Sequence, residues 1–145
     1  TNRVIQNNIV INGIGSPAGT SSPTTYRASG IYFDGRTMNV TAIGNTIANM
    51  TRNGFSANNP SGVKIMDNTI YNAGDRSIAF TRWSWGAINN LTITNNTIYA
   101  KNPKQAFMFY ANYGLPDSSV LTYQNELKAV GIIQGNHYNI IKNDY

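Results

Sequence analysis

Gly44-Asn45-Thr46-Ile47, Asp67-Asn68-Thr69-Ile70 and Asn95-Asn96-Thr97-Ile98 write one phrase three times. Gln6-Asn7-Asn8-Ile9 precedes them and a looser copy, Gly135-Asn136-His137-Tyr138, follows. A short apolar run leads into each copy: Val4-Ile5, Val40-Thr41-Ala42-Ile43, Val63-Lys64-Ile65, Leu91-Thr92-Ile93 and Ile132-Ile133. A second phrase comes after a gap, as Gly30-Ile31-Tyr32-Phe33, Gly54-Phe55-Ser56-Ala57, Ser77-Ile78-Ala79-Phe80 and Ala106-Phe107-Met108-Phe109. Its apolar starts Ile31, Phe55 and Ile78 lie 24 and 23 residues apart, which sets the length of a base coil. Self-similarity at such a period is the mark of stacked repeats, each of which buries its apolar face only against its neighbours.

A coil this short holds no helix of ordinary length in addition to strands, and the leucine spacing of leucine-rich repeats is missing. Short strands separated by polar turns fit it. If like strands stack at the usual strand spacing, an Asn at one turn of every coil can pass side-chain amide hydrogen bonds along the stack, and the same Asn is expected to take the left-handed backbone conformation. The alternative is a β-sandwich in which the Asn repeats are accidental. Three insertions decorate the coil, near residues 13–26, 83–90 and 112–128.

On these Asn-Thr-Ile phrases the chain resembles the parallel β-helix repeats of the pectate-lyase-like superfamily. The resemblance covers nearly the whole chain. It implies an all-β, right-handed parallel β-helix of about five coils, forming one segment over residues 1–145. It does not choose among the lyases, hydrolases, esterases, tailspikes and adhesins that share the fold. No amphipathic helix closes the coil stack near Thr1 or after Ile141, so the ends are expected to be covered by further coils of a longer helix or by partner chains.

Composition narrows the function classes. Hydrophobic residues make up 41% of the chain and charged ones 12%, so the chain is globular with a weakly charged surface. It has no cysteine, which excludes disulfides and thiolate metal sites. No apolar run is long enough to span a membrane. Lys and Arg number 11 against 6 acids, which favours an anionic ligand. No basic cluster sits on a nucleic-acid-binding motif. The partner expected is a polysaccharide, met outside the cell or in the periplasm.

Strand parity predicts where such a polymer would lie. Ile31, Phe33, Phe55, Ala57, Ile78, Phe80, Phe107 and Phe109 share one parity and are expected to face inward. The outward column is then Tyr32, Ser56, Ala79 and Met108, followed by Asp34, Asn58, Thr81 and Tyr110. Arg27, Arg52, Arg76 and Lys104 precede the strand in successive coils, and a cationic row suits uronate or sulfate groups. Trp83, Trp85 and Tyr113 lie in the insertions that follow it, and aromatic rings can cover the C–H face of a sugar. Tyr32, Arg52, Asn58, Trp83, Trp85 and Tyr113 are therefore the expected substrate-binding residues.

Chemistry is harder to read. A glycosidase needs two carboxyls about 5–9.5 Å apart, and Asp34 and Asp75 are the only acids beside the expected groove. The adjacent Asp-Asp and the Gly-His-Gly of polygalacturonase-like hydrolases are not present. A calcium-assisted lyase would need clustered carboxylates, which this segment does not offer, so no cofactor is expected. Lyase chemistry by β-elimination needs a cation to neutralise the uronate and a base to take its proton. The resemblance implies that Lys or Arg can serve, which makes Arg76, Arg82 and Lys104 candidates, with Tyr110 as proton donor and Asp34 as a further catalytic candidate. The leading expectation is a polysaccharide-active enzyme, a lyase before a glycoside hydrolase, and the competing class is a non-catalytic glycan-binding, adhesin or tailspike-like module. His137 stands in the loose last copy of the phrase, where a turn or packing role is expected.

Overall fold

The computed structural model describes residues 2–19, 24–83, 86–106, 109–112 and 131–141. Among the described residues, fourteen strands follow one another in the order β1 (Arg3–Gln6), β2 (Ile9–Ile11), β3 (Ile31–Phe33), β4 (Val40–Ile43), β5 (Thr46–Met50), β6 (Asn53–Asn58), β7 (Lys64–Met66), β8 (Thr69–Ala73), β9 (Arg76–Arg82), β10 (Leu91–Thr94), β11 (Thr97–Ala100), β12 (Phe109–Asn112), β13 (Gly131–Gln134) and β14 (His137–Ile140). They form three sheets: β1-β4-β7-β10-β13 (sheet A), β2-β5-β8-β11-β14 (sheet B) and β3-β6-β9-β12 (sheet C). Every pairing is parallel and joins strands one coil apart, so the chain winds through five coils of a parallel β-helix.

Register puts like on like. Ala42, Ile65 and Ile93 stack in sheet A, Ile47, Ile70 and Ile98 in sheet B, and all six side chains are fully buried. In sheet C one column reads Ile31, Phe55, Ile78 and the next Phe33, Ala57, Phe80. The small Ala57 lies between two large neighbours in its column, and Phe33 and Phe55 stack with ring centroids 6.5 Å apart. Alternation of size lets the layers interdigitate at interior density. Each large side chain of this kind contributes roughly 1.5–3 kcal/mol on burial.

The corner between sheets A and B carries the asparagine ladder. The Nδ2 groups of Asn8, Asn45, Asn68 and Asn96 each donate to the Oδ1 of the next asparagine, ending at Asn136, over 2.9–3.0 Å. Each Oδ1 also accepts the backbone N–H of the asparagine before it, over 2.9–3.0 Å. The second hydrogen of each inner amide goes to a carbonyl of the preceding coil, as Asn45 to Ile5 O at 3.0 Å and Asn96 to Ile65 O at 2.9 Å. These buried amides are thus satisfied on both sides, which such polar groups require.

Backbone conformation corrects one expectation. The left-handed residue is not the ladder asparagine but the one before it: Asn7, Gly44, Asp67, Asn95 and Gly135 have φ between 52° and 66°. The turn needs one left-handed residue to reverse direction, and the ladder asparagine then enters the next strand with its side chain pointing in. A second ladder on the outside, Asn12, Asn49 and Asn72, does combine both features, with φ of 58°, 57° and 49° and Nδ2–Oδ1 bonds of 3.1 and 2.9 Å.

The insertions leave and rejoin the coil at pinned points. Thr51 Oγ1 donates to Ile14 O and accepts from Ala28 N–H, both over 2.8 Å, which clamps the two ends of the first insertion. Asn59 does the same for the second. Its Oδ1 accepts Trp83 N–H at 3.1 Å, and its Nδ2 donates to Trp83 O and Gly86 O at 3.1 and 2.5 Å. The third insertion lies almost wholly outside the described residues. In the fourth coil the corner after sheet B is a single helical turn, α1 (Pro103–Ala106). Asn102 caps it by accepting Gln105 N–H at 3.1 Å, and proline starts it, the preferred pairing for a helix start.

Candidate functional site

Tyr32, Asp34 and Asn58 come together where sheet C ends in the first two coils. Register sets Tyr32 beside Ser56 and Phe33 beside Ala57, so the next pair outward is Asp34 and Asn58. Tyr32 hydroxyl donates to Asp34 Oδ1 at 2.9 Å, and Asn58 Nδ2 donates to the Tyr32 hydroxyl at 2.6 Å and to Asp34 Oδ1 at 3.0 Å. Gly35 N–H adds a further contact to the same carboxylate oxygen at 2.8 Å. The Asp34 carboxyl is held below its usual range by the Tyr32 hydroxyl first, then by Asn58 and Gly35, against slight desolvation. The Tyr32 phenol is pushed above its usual value by burial, then by the hydrogen bond and charge of Asp34, while Asn58 and the charge of Arg52 pull the other way.

Of these three residues Asp34 also lines a hollow of about 430 Å³, together with Arg3, Gly35, Arg36 and Thr37. Arg3 and Arg36 were not expected in the site. Arg36 does carry a signal, because Asp34-Gly35-Arg36 is a tight turn with Arg36 itself left-handed at φ 57°. Arg3 carries none, since it arrives from the start of the coil, 31 residues before Asp34. Half of the Tyr32 surface is exposed, so its ring remains available to a ligand.

The other sequence-derived candidates lie elsewhere. Lys104 Nζ is 2.7 Å and Arg76 Nη1 3.3 Å from Asp75 Oδ1, so the carboxylate ties two members of the basic row together. Register sets Asp75 beside Arg52 and Asp34 beside Asn58, so the two acids are six residues apart along the strands and two coils apart across them. Those steps amount to roughly 20 Å and 10 Å, or about 22 Å together. That exceeds the spacing of either type of glycosidase, so Asp34 and Asp75 do not form a hydrolytic pair. Arg82 ends β9 and Trp83 follows it in the loop held by Asn59. Trp85 and Tyr113 lie outside the described residues.

Strand β12 corrects the register. Phe109 pairs with Ala79 and Tyr110 with Phe80. The expectation set Phe109 beside Phe80 and Tyr110 beside Thr81. A one-residue offset exchanges the two faces of a strand, so Tyr110 occupies a register position of inward parity and its proposed place in the outward column is lost. The outward column is also less open than expected. Ser56 and Ala79 are buried, at 6% and 5% exposure, so the exposed part of the face is concentrated at the Tyr32 end. A larger open hollow, about 610 Å³, lies on the outer face of sheet A around Thr41, Lys64 and Thr92 rather than on sheet C. Among the described residues no cluster of three or more His, Cys, Asp or Glu could hold a metal ion, and no helix is long and apolar enough to cross a membrane.

A family model for the right handed beta helix region matches residues 1–144. The chain is a right-handed β-helix protein. The assignment agrees with the three all-parallel sheets and with the pectate-lyase-like resemblance of the Asn-Thr-Ile phrases. No curated protein and no solved structure gives a significant match. Membership in the β-helix family accounts for the coil and its ladders but leaves the chemistry of the Tyr32 cluster to its own geometry.

Proposed function

We propose that this β-helix binds an extended, anionic polysaccharide at the sheet C edge formed by Tyr32, Asp34 and Asn58, with Arg52, Arg3 and Arg36 supplying positive charge. The observation that carries the reading is the three-way hydrogen bonding of Tyr32, Asp34 and Asn58 across two coils. It holds an exposed phenol ring by its hydroxyl, so a sugar ring can stack without the phenol first losing rotamer freedom. Binding ranks ahead of bond cleavage because Asp34 has no second carboxylate within hydrolytic distance among the described residues. A substrate of this kind is met outside the cell.

One observation favours a lyase as the second reading. The Tyr32 phenol is pushed above its usual value by burial first and then by Asp34, and the charge of Arg52 reaches it, so a phenolic hydroxyl and a cation act on the same region. A base is still needed, and Lys104 is engaged with Asp75 at the opposite end of the strands.

Native gels containing polygalacturonate, with neutral dextran as control, test the reading. The protein should be retarded by polygalacturonate, less so as salt rises. The variant Tyr32→Ala with Arg52→Ala should run freely. Equal retardation of variant and wild type, or none of either, refutes the site. Ultraviolet absorbance from an unsaturated product on incubation with polygalacturonate would move the lyase reading to first place.

A further inference from the structure

The five strands of sheet B contain no Asp, Glu, Lys or Arg, although the chain carries 11 basic and 6 acidic residues. Their outward positions are regular. One column runs Ile9, Thr46, Thr69, Thr97, His137, and the next runs Ile11, Ala48, Tyr71, Tyr99, Asn139. Tyr71 and Tyr99 sit on adjacent coils, 37% and 38% exposed, with ring centroids 6.5 Å apart and planes at 48°. The outer amide ladder of Asn12, Asn49 and Asn72 borders the same face. Tyrosine is common on strand surfaces because it fits a pleated, half-buried site. That preference does not account for two adjacent, partly exposed rings on a face without a carboxylate, ammonium or guanidinium group. Exposed apolar surface framed by polar groups marks a contact site.

We infer that the outer face of sheet B is a second glycan-binding surface, one that takes a neutral polysaccharide. The rings of Tyr71 and Tyr99 cover the C–H faces of successive sugars, and the threonine hydroxyls and asparagine amides meet their hydroxyls. The lack of charge is what selects a neutral polymer. A neutral sugar would desolvate a charged side chain without compensating it, and here there is none to desolvate. The anionic polymer of the Tyr32 site would gain nothing on this face, so the two surfaces divide ligands by charge. This second site stands independently of the first.

Depletion of the protein from solution by insoluble cellulose, neutral xylan and starch tests it. At least one of these should retain the protein, and Tyr71→Ala with Tyr99→Ala should weaken retention about tenfold or more, as the loss of two aromatic contacts implies. Tyr71→Phe with Tyr99→Phe keeps both rings and should retain most of the binding. Neither pair opens the core, and far-ultraviolet circular dichroism checks that both fold. Polygalacturonate retardation should survive the alanine pair, which separates failure here from failure at the Tyr32 site. Retention by none of the three polymers, or equal retention by the alanine pair and wild type, overturns the inference. So does a self-association seen by sedimentation that the alanine pair abolishes while glycan retention is unchanged, because the face would then belong to a second copy.

Discussion

Replacing Asn68 by Asp tests the inner ladder without changing its shape. Asn68 is 1% exposed. Its Nδ2 donates to Asn96 Oδ1 at 3.0 Å, Ala42 O at 3.1 Å and Met66 O at 2.8 Å, and its Oδ1 accepts the N–H and Nδ2 of Asn45 at 2.9 and 3.0 Å. In the Asn68→Asp variant the first carboxylate oxygen would keep both donors, but the second would face three oxygens with no hydrogen to give. An ionised carboxylate placed there is a buried charge with no partner, which costs roughly 3–5 kcal/mol. Protonation returns one donor, so the folded carboxyl is expected to titrate above its unfolded value of about 3.9. The folded state then holds more protons than the unfolded one, and stability falls as pH rises from that value through the raised folded one. Asn68→Ala introduces no charge but orphans the buried N–H of Asn45, at about 1–3 kcal/mol, with no dependence on pH of its own. Urea unfolding followed by circular dichroism, at neutral pH and near pH 4, reads both variants against wild type. If Asn68→Asp lies within about 1 kcal/mol of wild type at neutral pH, or if its deficit matches that of Asn68→Ala at both pH values, the ladder does not hold the coils as described.

Gly54→Ala should destabilise the chain by about 1–3 kcal/mol in the same urea assay, because an added Cβ would lie 2.6 Å from Ser77 O and 2.7 Å from Ile70 Cγ2. Asn59→Ala releases both ends of the second insertion and leaves Trp83 N–H without its acceptor; the expected loss is about 2 kcal/mol, with a red shift of tryptophan fluorescence. Tyr32→Phe should raise the Asp34 carboxyl titration seen by NMR toward the ordinary carboxylate value. In the wild type the Tyr32–Asp34 bond is present above the unfolded carboxylate range and is lost as pH falls through the lowered folded value. An unchanged Asp34 titration in Tyr32→Phe would show that the bond is not formed in solution.

Legibility in the sequence followed the geometry of the coil. Thr46, Thr69 and Thr97 could be aligned by eye because each follows a ladder asparagine with no intervening turn, and their register is as read. Asp34 and Asp75 were misjudged as a pair because coil counting gives only the distance along the axis, and their opposite strand ends, which add roughly 20 Å, were left out of it. Strand β12 was misaligned by one residue because α1 takes up chain between β11 and sheet C that the other coils spend differently. The hydrogen bonds of Asn58 to Tyr32 and Asp34, across 26 and 24 residues, had no local signature.

Sequence alone determined the repeating unit of this protein: where the coil turns, which asparagines line up, and which side chains fill the core. Those features recur at one phase in every coil, and periodic burial and hydrogen bonding leave a periodic trace. Only the tertiary structure decided what the surface can do. The Tyr32 cluster and the Asp75–Lys104 ion pair are made by residues from different coils that meet across the stack. Such sites occur once, so no repetition marks them, and they exist only when register and strand-end position are set together.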